Sequence, residues 1–287
     1  MRQHLALAAD QLLLTSTTNS MLKDARVGNL MKKLPKRIAL LGLLLISSAS
    51  YTIVFAKQIR CHFVAWSELK AVDDRLYVDP NMPPEQIAQI VSMVAEARRR
   101  DAQFYGVLQA TPVTIAGQDT RVIDKFGQRG NRMAVTHLYL GNAYIVLGPD
   151  GLDVDVVAHE TMHAELSDRL GWLKREMSIP AWFDEGLAMQ ADYRESYSEE
   201  AWQQRTENGR LAPPLANLVS LKAFTSRDYW MNYATSKHEL KRWLNVVGQQ
   251  GFREFLKRME TGEDFAEAYQ STERKYATLP LRHPIRG

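Results

Sequence analysis

The sequence predicts an α+β fold, from the order in which its patterns follow one another along 287 residues. Short β-branched and hairpin-like segments are confined to the part of the chain before residue 150. A helical apolar pattern begins at Asp153 and carries His159-Glu160-Thr161-Met162-His163. From there onward the apolar residues keep helical spacing, with breaks near 171–180, 207–214 and 248–251. The expected order is a small mixed sheet with one helix, then the helix of paired histidines, then a helical C-terminal half.

Each element has a local cause. Leu76-Tyr77-Val78 reads as a first strand ended by Asp79-Pro80. Pro83-Pro84-Glu85 opens a helix with proline in its first turn, and Ile87, Ile90, Val91, Val94 and Ala95 give it an apolar stripe toward Tyr105. Residues 111–115 are β-branched and strand-like, and Gly117-Gln118-Asp119 turns the chain. Residues 119–133, with scattered charges, Gly127 and Gly130, read as an exposed loop. Segments 138–140 and 143–147 flank Gly141-Asn142, a tight hairpin or a bulge. Asp153 or Asp155 caps the next helix, and Val154, Val156, Val157, Ala158, Leu166 and Leu170 set its buried face.

Histidines four apart share one helix face, so His159 and His163 reach a single metal ion at roughly 2.0–2.1 Å. Glu160 lies about 100° round the helix, beside the metal but not on it, where it can take a proton from a water that the metal polarises. A catalytic zinc takes three protein ligands and keeps a position open. Two histidines leave one ligand to find.

Downstream, Pro180-Ala181-Trp182-Phe183-Asp184-Glu185-Gly186-Leu187-Ala188 resembles the Trp-x-x-Glu-Gly-x-Ala signature of the gluzincin metallopeptidases. A further stretch from Tyr233, Tyr-Ala-Thr-Ser-Lys-His-Glu-Leu-Lys-Arg-Trp-Leu followed by Gly248 and Phe252, is similar to one in the aminopeptidase N family. The resemblance spans 74–270 and is strongest over 157–188. It implies a gluzincin, thermolysin-like plan, a minimal version of the aminopeptidase N catalytic domain with its cleft between the two halves. It also implies one zinc per chain held by His159, His163 and Glu185, with Glu160 as general base and the Tyr233 hydroxyl on the oxyanion. Tyr229 is the alternative for that last role. An edge strand beside the metal is part of the same plan, and 143–147 is the candidate to pair with extended substrate. His137, His238 and His283 read as surface or supporting residues, with His238 placed to face the cleft.

Two departures stand out. Glu165 occupies a position, two after the second histidine, where the motif ordinarily carries an apolar residue. The Gly-x-Met-Glu-Asn stretch that holds a substrate's free amine in the aminopeptidases is missing, and 135–147 contains no acidic residue. An endopeptidase acting on peptides or proteins is the expectation. A peptidase-fold binding or scaffold protein without turnover, and a zinc hydrolase of other substrates, are the alternatives.

Composition bounds the rest. With 45% hydrophobic residues and a net charge of +3 spread along the chain, one substantial core is expected and no nucleic-acid partner. The run 38–56 carries no charge and as a helix spans about 28 Å, close to the ~30 Å hydrocarbon core of a bilayer. Lys32, Lys33, Lys36 and Arg37 precede it, which puts the N-terminus in the cytoplasm and the metal motif across a bacterial inner membrane. The run is read as a single-pass anchor, or as a signal peptide that would leave the domain secreted. The expected division is a cytoplasmic segment 1–37 (1–30 reading equally as a misassigned start), the apolar run 38–56, a membrane-proximal linker 57–73, the peptidase domain 74–275 and a tail 276–287. Cys61, the single cysteine, excludes an intramolecular disulfide and reads as a membrane-proximal thiol.

Overall fold

The computed structural model describes residues 55–127, 133–226 and 228–278. The chain divides into two units, Met1–Ala56 and Lys57–Gly287, and the described residues belong almost wholly to the second. The expected anchor 38–56 lies, up to residue 54, outside the described residues, as do 1–37 and His283. Among the described residues no helix is long and apolar enough to cross a membrane.

The second unit is a mixed α+β structure. Helix α1 (Ala56–His62) leads to β1 (Lys70–Ala71), β2 (Leu76–Val78), α2 (Pro84–Tyr105), β3 (Val113–Ala116) and the short α3 (Thr120–Ile123). The hairpin of β4 (Ala134–Tyr139) and β5 (Asn142–Leu147) follows, then α4 (Val154–Leu170), α5 (Trp172–Ser178) and α6 (Ala181–Ala188). The helical half closes with α7 (Glu199–Thr206), α8 (Leu221–Phe224), α9 (Tyr229–Glu260) and α10 (Phe265–Ala277). Strand order is β1-β2-β3-β5-β4. The β2/β3 and β3/β5 pairs are parallel, while β1/β2 and β4/β5 are antiparallel.

Alternation along the strands feeds two apolar layers, as a side-chain period of two requires. Leu76, Val78, Ile145 and Leu147 face α2, α4 and the helical half. Tyr77, Val113, Ile115, Tyr144 and Val146 face the other way, onto Cys61, Val64, Leu69, Ile123 and Phe126. Asp153 caps α4 as expected, its side chain accepting from the Asp155 N–H. Helix α9 runs through Gly248, whose φ of 63° and ψ of −177° interrupt it where a break was anticipated.

Five expectations need correcting. The strand 143–147 is not an edge: β5 pairs with β3 on one side and β4 on the other. The outer strand is β4, because the hairpin folds outward from β5, and its turn is Leu140-Gly141, one residue earlier than anticipated. Both turn residues have positive φ, 50° and 76°, as a tight two-residue hairpin demands. Residues 119–127 are no exposed loop: Asp119 caps α3, and Ile123 and Phe126 are buried. The stretch 57–73 does more than link, since Cys61, Val64 and Leu69 are core residues. The Cys61 thiol points to the Phe126 carbonyl, and burial pushes its pKa up to about 12. Finally, the connection between the paired-histidine helix and the next carries a helix of its own, α5.

Candidate metal centre

Helix α4 is buried along almost its whole length, which is why its sequence is apolar around the motif. It presents His159 and His163 one turn apart, with their Nε2 atoms 3.2 Å from each other. Helix α6 brings Glu185 opposite, its Oε2 3.4 Å from both Nε2 atoms. All three residues are buried, and the potential ligand atoms lie within 4.8 Å of one another. Among the described residues this is the single group of its kind.

Packing fixes α6 in that position. Trp182 and Phe183 insert into a cluster of rings with Trp243, Phe255, Phe265 and Tyr269, all within 4.7–6.2 Å of a neighbour. Gly186 lets α9 come close. A Cβ there would sit 2.6 Å from the Ser236 carbonyl oxygen, nearer than side chains tolerate. That approach brings Tyr233, one turn before Ser236, toward the histidines. Its ring centroid is 5.9 Å from that of His159 and 4.9 Å from that of Phe224. Burial, then the charges of Glu185 and Glu160, raise the Tyr233 pKa and keep its hydroxyl protonated. Tyr229 is 62% exposed at the start of α9.

Asp184, next to Glu185, accepts from His163 Nδ1 at 2.8 Å and is ion-paired with Arg175 of α5. With Nδ1 protonated, the lone pair of His163 is on Nε2, facing Glu185 and His159. This carboxylate–histidine pairing orients a ligand toward a metal and raises its basicity. The electrostatics fit a cation at the centre. Burial opposes a charged His163, but Asp184 and then Glu185 overcome it and lift its pKa from 6.5 to about 10. Burial likewise opposes ionised Glu185 and Asp184. The His163 charge, with His159, nevertheless holds Glu185 far below the carboxylate range, and Arg175 with His163 holds Asp184 down. Glu185 Oε2 is buried with no hydrogen-bond partner. Two imidazole nitrogens and an orphaned carboxylate oxygen form a donor set that could hold a metal ion.

Glu160 is half-buried beside the cluster, and the Thr136 hydroxyl of β4 donates to its Oε2 at 2.5 Å. Glu165, the departure from the motif, is fully buried, and its charge is satisfied. It accepts from the N–H groups of Gln109 and Ala110 at 2.8–3.0 Å and pairs with Arg169, tying α4 to the segment before β3. His137 Nε2 lies 3.0 Å from the Phe126 carbonyl oxygen on the far side of β4. His238 stacks on Trp202, centroids 3.6 Å apart, with Nδ1 2.8 Å from Glu199. It lines a cavity of about 720 Å³ that also touches Tyr197, so it faces a groove but does not join the metal cluster.

Thr136, Asp184 and Arg175 escaped the sequence reading. Asp184 had a signal, an acidic neighbour to the expected ligand. Thr136 had none, because its partner lies 24 residues away. No protein-family model matches the chain, and no curated protein matches it.

Proposed function

We propose that this chain is a zinc-dependent peptidase, an endopeptidase of gluzincin type working outside the cytoplasm, anchored by the run 38–56. The observation that carries the reading is the convergence of His159, His163 and Glu185 on one buried point, with Glu160 beside it and the Tyr233 ring 5.9 Å from that of His159. A bound zinc ion would act as a Lewis acid on the attacking water and the scissile carbonyl. Glu160 takes the proton from that water and passes it to the leaving amine. The Tyr233 hydroxyl, unable to ionise in its buried setting, donates a hydrogen bond to the developing oxyanion. Asp184 and Arg175 hold the His163 ring in register.

Substrate is taken as an extended strand. The outer strand β4, rather than 143–147, is the one that can receive it by main-chain hydrogen bonds. Segment 135–147 offers no carboxylate to a free substrate amine, which favours cleavage within chains. The test is a peptide-library digest by the purified chain, zinc-loaded or chelated, with elemental analysis alongside. Cleavage at internal bonds that is lost on chelation and restored by zinc is expected. Metal content of zero after dialysis against zinc, or cleavage indifferent to chelator, would refute the reading.

A further inference from the structure

Thr136 stands where two requirements of such an enzyme meet. Its hydroxyl donates to Glu160 Oε2 at 2.5 Å, and the Glu160 carbonyl oxygen is 3.3 Å away. A hydroxyl has one proton, and the shorter contact to the carboxylate takes it. The direction of its main chain follows from the ladder. Gly148 N–H donates to the Met133 carbonyl at 3.0 Å, and Ala134 pairs with Leu147, so Met133 and Gly148 are opposite one another. In an antiparallel pair the residues alternate between those that bond to the partner strand and those that turn their peptide groups outward. Residues 133, 135, 137 and 139 therefore bond to β5, whereas Ala134, Thr136 and Leu138 present N–H and C=O to the open side. Among the described residues no strand lies beyond β4.

We infer that Thr136 is the positioning residue that couples substrate docking on β4 to the orientation of Glu160. The inference rests on the peptidase reading above. A peptide paired with the outward peptide groups of Thr136 fixes the strand, and the hydroxyl on the same residue then fixes the Glu160 carboxylate. Nothing else among the described hydrogen bonds holds that carboxylate.

The experiment compares the zinc-loaded full chain with Thr136→Val, which keeps the shape and deletes the hydroxyl, and Thr136→Ser, which restores it. Crystal structures and steady-state kinetics on a peptide from the library digest are both read. Thr136→Val is expected to release the Glu160 carboxylate from its position while zinc stays at one per chain. It should lower kcat about 10-fold or more with KM within about twofold, because a hydrogen bond to a charged group is lost from the reacting state. Thr136→Ser should recover most of that rate and return Glu160 to its place. Glu160 unmoved in Thr136→Val overturns the inference whatever the kinetics, as does a loss equal in the Val and Ser variants. A wild-type chain that binds zinc but cleaves nothing, with Glu160 displaced in Thr136→Val, would instead refute the peptidase reading and leave the positioning role standing.

Discussion

Glu160 is half-buried and Glu185 buried, and on the proposed reading their different partners give them different roles. Glu185 faces two imidazoles with an oxygen left unpartnered, whereas Glu160 is turned to a hydroxyl on a strand. Glu160→Gln is therefore expected to keep one zinc per chain and lose hydrolysis, since an amide matches the shape but accepts no proton. Near-normal turnover in that variant would remove Glu160 from the mechanism. Glu185→Ala should fail to retain zinc through dialysis, read by elemental analysis. Asp184→Asn should keep the fold and weaken zinc binding by roughly 10–100-fold, as loss of a ligand's supporting carboxylate does. Tyr233→Phe should cost about 10²–10³ in kcat with KM little changed, the usual loss for one oxyanion donor, while Tyr229→Phe stays close to wild type. An inert Tyr233→Phe beside a crippled Tyr229→Phe would reassign the hydroxyl. The meeting of His159 with His163 was legible in the sequence because helical geometry turns a spacing of four into one face. Thr136 and Arg175 were not, because contacts between separate elements leave no spacing to read.

Elements were legible where one face is buried and the pattern is local. The α2 stripe, the Asp153 cap, and strands β2, β3 and β5 fall close to where the residues put them. Strand order was not legible. Periodicity distinguishes the two faces of a strand but not its two edges, so β5, the most apolar of the hairpin, passed for the outer strand although its neighbours on both sides bury it. The stretch 119–127 was misread because its buried apolar residues, Ile123 and Phe126, are too few to set a period amid charges. Gly186 shows what the element scale adds to a motif. In sequence it is only the glycine of the Trp-x-x-Glu-Gly-x-Ala pattern, whereas in the fold it lets α9 pass within reach of α6. Gly186→Ala is expected to force those helices apart, costing about 1–3 kcal/mol as overpacking does, and to loosen zinc binding as Glu185 moves with α6. Denaturant midpoints and zinc content measure the two effects. Unchanged stability together with unchanged zinc affinity would mean the approach of α9 does not set the site.

For the whole molecule, the buried charges of the centre link folding, pH and metal. Consider first the chain with zinc removed. His163 is raised in the fold from 6.5 to about 10, so its contribution to stability is full below 6.5 and is lost as pH rises toward 10. Glu185 and Asp184 are lowered from 4.5 and 3.8, so theirs is present above those values and is lost as pH falls below them. The metal-free protein should accordingly be most stable between about pH 4.5 and 6.5 and weaken on either side. On the proposed reading zinc would invert the alkaline limb, because it would need the Nε2 lone pair of His163 and its binding would expel the proton held there in the metal-free fold. The stabilisation by zinc should thus grow as pH rises from about 6 to 8, where displacing that proton becomes easier. Thermal midpoints of chelated and zinc-loaded protein, taken across that range, should diverge with pH. Calorimetric titration in buffers of different ionisation enthalpy should show close to one proton released per zinc near pH 7. A constant gap between the midpoints, with no proton released, would mean that zinc is not held by His163, and the centre described here would have to be sought elsewhere in the fold.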